Sequence, residues 1–90
     1  MNIPRIESMT SPRGNAVPNQ FRIFTDDGVY FQSYSSIIAF RDRTGNIMLD
    51  SEKWDYSATT GKYRNDFLNE DKKTTARKIK DGTYKLTNLN

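Results

Sequence analysis

The spacing of hydrophobic positions changes along the chain. Between Gln20 and Leu49, aromatic and branched residues come in short runs: Phe21-Arg22-Ile23-Phe24-Thr25, Val29-Tyr30-Phe31-Gln32-Ser33-Tyr34, Ile37-Ile38-Ala39-Phe40-Arg41 and Ile47-Met48-Leu49. Such runs read as strands, because branched and aromatic side chains fit a pleated surface. Turn residues separate them. Asp26-Asp27-Gly28 can supply the positive φ values of a type I′ hairpin turn, and Arg43-Thr44-Gly45-Asn46 carries the Gly and Asn suited to left-handed geometry. Ser35-Ser36 predicts a kink or bulge, after which the chain continues as strand from Ile37. In the second run Val29, Phe31 and Ser33 share one face, and Tyr30, Gln32 and Tyr34 share the other. Aromatics stand on both faces, so one face is expected to stay wet.

Beyond Leu49 the spacing turns helical. Tyr63 and Phe67 lie four residues apart and so share a helix face, which Leu68 widens. Ser57, Thr59 and Thr60 are candidate N-caps, since a hydroxyl can accept an otherwise unpaired backbone N–H. Asn69-Glu70-Asp71 reads as a break and a new cap. A second short helix is expected over 72–80, with Ala76 and Ile79 inward, closed by Asp81-Gly82. Thr83-Tyr84-Lys85-Leu86-Thr87 alternates as a last strand. Residues 1–19 hold Pro4, Pro12, Pro18 and Gly14 with no visible period, and read as a flexible, disordered N-terminal arm. The expectation is one α+β domain over 20–90. It has an antiparallel meander of three to four strands, with one or two short helices packed on one face.

Composition narrows the chemistry. The chain has 90 residues, no Cys and no His. Thiolate and imidazole catalysis, disulfides and His/Cys metal sites are therefore excluded. Five Phe, five Tyr and one Trp can still anchor a small core although hydrophobic residues are 34%. No apolar run approaches a membrane span and no signal peptide is visible at the start, so no membrane partner and a cytoplasmic location are expected. The net charge of +3 permits nucleic-acid contact without demanding it. No cofactor is expected.

Asn19-Gln20 through Phe67-Leu68 carries a resemblance, above all Phe31-Gln32-Ser33-Tyr34 and Trp54-Asp55-Tyr56-Ser57-Ala58-Thr59-Thr60-Gly61-Lys62-Tyr63. These residues resemble a family of small bacteriophage and mobile-element proteins whose function is unknown. The resemblance implies an accessory protein acting in the cytoplasm of a bacterial host. It carries over no activity and no functional residue.

Five groups of residues compete for a role. Trp54-Asp55-Tyr56-Ser57 suits a binding hot spot, because Trp and Tyr give rigid amphipathic contact; the same residues can plug the sheet–helix seam and cap a helix. Ser57, Thr59, Thr60 and Lys62 could hold a phosphate at a helix start, but the glycines of a phosphate loop are missing. Lys72, Lys73, Arg77, Lys78 and Lys80 form a basic helix, a phosphate-contacting stripe or a solvated face. Tyr30 and Tyr34, with Arg22 nearby, could stack bases or pack under a helix. Asp26-Asp27 and Glu70-Asp71 are more simply turn and cap residues than a metal site. Two functions follow. In the first, Tyr30, Tyr34, Trp54 and Tyr56 contact a host protein, such as a defence or replication factor. In the second, Arg41, Arg43, Lys62, Arg64, Lys72, Lys73 and Arg77 contact nucleic acid. Self-association through an unpaired edge at 83–87 is a further possibility.

Overall fold

Six strands and two helices succeed one another in the computed structural model, which describes residues 3–90. β1 (Arg5–Thr10), β2 (Ala16–Thr25), β3 (Gly28–Ser33), β4 (Ser36–Asp42) and β5 (Ile47–Asp50) form an antiparallel meander. α1 (Ala58–Leu68) and α2 (Lys72–Lys80) then carry the chain to β6 (Lys85–Thr87), which lies parallel to β5. A parallel neighbour requires a long crossover, and the two helices supply it. The sheet order follows the chain, β1 to β6. The fold is α+β with a mostly antiparallel sheet, but it has six strands rather than three to four.

The additional strand comes from the segment expected to be a disordered arm. Residues 5–10 form β1 and residues 16–19 begin β2; Met1 and Asn2 lie outside the described residues. The prolines that argued for irregularity sit where a ladder tolerates them. Pro4 precedes β1 and Pro12 lies in the loop after it. Pro18 falls where the register slips between the Thr10–Ala16 and Ser8–Phe21 pairs.

Two turns also differ from expectation. Asp26 and Asp27 link Thr25 to Gly28, yet neither has positive φ; Gly28 does, at 148°. The turn is therefore not type I′, which needs two positive values. Instead the Thr25 hydroxyl accepts the Asp27 N–H and donates to the Gly28 carbonyl. At Tyr34-Ser35 the chain reverses into a new strand rather than continuing, with Tyr34 itself left-handed at φ 54°. The bulge lies further on. Phe31 and Gln32 face Ala39 and Ile37, which leaves Ile38 as the extra residue.

The register sorts side chains onto two faces. Phe31, Ala39 and Leu49 are cross-strand neighbours on the face covered by helix, and Phe31 stacks on Phe67 of α1 with centroids 5.8 Å apart. Met9, Ile38, Ile47, Tyr63, Leu68 and Tyr84 complete this core. α1 starts at Ser57, whose Oγ accepts the Thr60 N–H at 3.2 Å. α2 starts at Asp71, whose carboxylate accepts the Thr74 N–H at 2.8 Å. α2 buries Thr75 rather than Ala76, because the Thr75 hydroxyl donates to Glu70 at 2.7 Å; Ile79 is half-buried against the core. Among the described residues no helix is long and apolar enough to cross a membrane.

Candidate functional site

The other face of the sheet carries no helix. Across it, Ile6 pairs with Ile23, Ile23 with Tyr30, Tyr30 with Phe40 and Phe40 with Met48, and the row ends at Lys85. Residues directly opposite one another in adjacent strands stand on the same face. One row of apolar side chains therefore crosses β1 to β5. Tyr30 and Phe40 have ring centroids 4.4 Å apart, with their planes tilted by 30°. Phe40 is only 7% exposed, yet it stands apart from the core cluster under the helices. Its shelter comes from Tyr30 and from the bare backbone of Gly28, which its ring approaches. Beside this row runs a second, Phe21, Gln32 and Ile37, all half-buried.

Of the expected partner-binding residues, Tyr30 lies in the middle of this open face. β3 and β5 run in the same direction, so the loops that follow them leave the sheet at one end. Tyr34 and Tyr56 stand on those loops, 48% and 56% exposed. Tyr34 is held in place by its N–H to the Asn19 carbonyl at 2.7 Å, and Lys53 Nζ lies 4.4 Å from the Tyr56 ring centroid. Trp54 belongs elsewhere. It packs against the core and its ring lies 5.3 Å from the Arg64 guanidinium, so it plugs the seam between sheet and helix.

The expected nucleic-acid set is divided by the fold. Arg64 is 1% exposed. Its Nη1 donates to the Trp54 carbonyl at 2.7 Å and contacts Asp55 at 3.3 Å, and its Nη2 donates to Asn65. A guanidinium buried in this way cannot reach a phosphate. Arg41 lies over the Phe67 ring and donates to the Phe67 carbonyl at 2.7 Å, which ties β4 to the end of α1. Lys72 Nζ sits 2.7 Å from Asp55. Arg43, Lys62, Lys73 and Arg77 remain exposed, spread over the β4–β5 turn and the two helices.

The helix start that suggested phosphate binding borders an open cleft lined by Asp55, Ser57, Gly61, Lys62, Arg64 and Lys72. Two of its three cations, Arg64 and Lys72, already face the Asp55 carboxylate, and Lys62 does not. Hydrogen bonding from Lys72 and the nearby Arg64 charge hold Asp55 below the ordinary aspartate range. Its hydroxyls are also engaged: Thr60 Oγ1 lies 2.8 Å from buried Ser33 Oγ and accepts from Ser57 Oγ. Asp26 and Asp27 are exposed in the β2–β3 turn, whereas Glu70 and Asp71 serve the packing and capping of α2. Burial pushes Glu70 up, but hydrogen bonds from Lys78, Thr75 and Tyr84 outweigh it and leave the carboxyl below its ordinary range. Lys78 is raised by Glu70 and Tyr84, and Tyr84 is raised by burial and then by Glu70.

Ile6, Ile23, Phe40 and Met48 were not singled out from the sequence as contact residues. The signal for them is the double-sided aromatic pattern of β3, which requires one face of the sheet to remain open. Joining them into one row requires the register.

The fold and this surface define a small α+β protein in which one face of a six-stranded sheet is covered by helices and the other is apolar and open. The chain belongs to a family of unknown function (DUF8033), whose model matches residues 5–82. No curated protein and no solved structure matches it.

Proposed function

We propose that this is a non-enzymatic protein that binds the surface of another protein and modulates it, as a bacteriophage or mobile-element accessory factor in the cytoplasm of a bacterial host. One observation carries the reading: the open face bears the row Ile6, Ile23, Tyr30, Phe40 and Met48, while the core is closed separately beneath the helices. Ile6 is exposed, Ile23, Tyr30 and Met48 are half-buried and Phe40 is sheltered between them; a continuous apolar row on a sheet face that no helix covers is characteristic of interaction sites. Tyr34 supports the reading in a second way. A bulky residue at φ 54° is strained, and such strain is retained where side-chain placement matters. The absence of His and Cys from the sequence removes the commonest nucleophile and base partners. The phage setting rests on the sequence resemblance. The nucleic-acid alternative has Arg43, Lys62, Lys73, Arg77 and the exposed Lys72, paired with Asp55, to carry it, because Arg41 and Arg64 are occupied within the fold.

The test compares immobilised native chain with Tyr30→Lys and Tyr34→Gly in bacterial lysate, with circular dichroism to establish that each variant is folded. A specific protein retained by the native chain and lost from Tyr30→Lys is the expected result. Tyr34→Gly is expected to weaken retention while raising stability by about 1 kcal/mol, because glycine adopts left-handed φ without strain. Identical retention by all three chains would overturn the reading.

A further inference from the structure

β1 pairs with β2 on one side, and its other edge is unpaired among the described residues. Every residue of β1 except Met9 is exposed, and Ile6 is 64% exposed. An edge of this kind offers a row of unmade backbone hydrogen bonds, and proteins normally blunt it with charge or proline. Here the charges have a particular order. Arg5 and Glu7 flank Ile6 and stand on the opposite face from it, 2.9 Å apart as an ion pair in the single chain.

We propose that β1 is a self-complementary edge through which two copies of this chain pair antiparallel about a two-fold axis at Ile6, forming one continuous sheet. In that register Ile6 faces Ile6 of the second copy, Arg5 faces its Glu7, and Glu7 faces its Arg5. Directly opposed opposite charges stabilise a strand pair and opposed like charges destabilise it. The backbone groups at a strand edge alternate, so hydrogen bonding permits registers only in steps of two residues. One step either way places Arg5 against Arg5 or Glu7 against Glu7. The charge order thus selects the Ile6-centred register over both neighbours. The same register brings the two Ile23–Tyr30–Phe40–Met48 rows to either side of the paired isoleucines, on one face. Pro4 lacks an N–H and falls opposite Ser8 of the second copy, which limits the pairing to a few residues. The dimer is therefore a small interface in exchange with monomer, populated at high protein concentration. This inference does not depend on the open face having a protein ligand.

Sedimentation velocity on the full chain from about 10 μM to about 1 mM, at low salt, tests it. The mass is expected to rise from 10.4 kDa toward twice that value. Arg5→Glu and Glu7→Arg, each alone, are expected to stay monomeric, because every copy then carries two like charges at the edge. Mixed one to one they are expected to form a heterodimer, since the acidic edge of one matches the basic edge of the other. The double swap R5E/E7R is expected to regain self-pairing. Thermal melts show whether each variant is folded, and the mixing result does not depend on their stability. A native chain monomeric at about 1 mM overturns the proposal. So does a dimer indifferent to the β1 charges, or one broken by Tyr30→Lys instead, which would place the contact on the sheet face.

Discussion

At Gly28 the backbone has φ 148°, and a methyl group added there would lie 2.1 Å from the Arg41 carbonyl oxygen and 3.0 Å from the Phe40 ring. Neither the conformation nor the space suits any other residue. Gly28→Ala is expected to cost about 3 kcal/mol; an unchanged midpoint in urea denaturation would refute this. Glu70 is a second position on which several contacts converge, accepting hydrogen bonds from Thr75, Lys78 and Tyr84. Its folded pKa lies below its unfolded value. Its contribution to stability is therefore complete above the unfolded pKa, about 4.3, and is lost as pH falls through the lower folded value. Glu70→Gln is expected to cost about 2 kcal/mol at pH 7 and little once the pH has fallen below the folded pKa, which flattens the acid limb of the stability curve. Parallel acid limbs for the two proteins would contradict that role. At this scale the sequence is read best where chemistry is local. Ser57 and Asp71 are caps because a short polar side chain before a helix has a donor within reach. Arg64 could not be placed in the interior, because its partners are the Trp54 carbonyl, Asp55 and Asn65, brought together only by the turn into α1.

At the scale of elements, α2 is legible to the residue, and β3, β4 and β5 lie within a residue or two of their hydrophobic runs. Each is bounded by its own turn or cap. β1 is not legible, because Arg-Ile-Glu-Ser-Met-Thr buries only Met9 and stands beside prolines at both ends. Its strand character comes from β2, which is already aligned by β3. The open-face row falls between these cases. Tyr30 was marked by its position on a two-sided strand, while Ile23, Phe40 and Met48 are ordinary strand residues until the register aligns them. The helix spacing of Tyr63 and Phe67 is local and its outcome was legible: both are buried, with Phe67 on Phe31.

At the scale of the whole molecule, the sheet combines two kinds of connection. β1 to β5 join neighbours through short loops, so their pairing is local in sequence. β6 pairs with β5 only after both helices have been laid across the sheet. Two of the cations considered for nucleic acid serve this helical layer: Arg41 ties β4 to the end of α1, and Arg64 ties α1 to the turn that precedes it.

The attachment of the final segment acts as a latch. Asn90 donates to the Ile37 carbonyl and accepts the Ile37 N–H, Asp50 accepts the Leu89 N–H, and the Ser51 N–H reaches the Thr87 carbonyl. Contacts distant in sequence form late in folding and are the natural place for partial opening. Releasing the latch would free β6 while leaving the β2–β4 ladder closed. Asn90→Ala is accordingly expected to speed amide exchange at 85–87 several-fold and to leave β3 amides unchanged. Equal acceleration throughout would mean that the meander and its latch open as one cooperative unit.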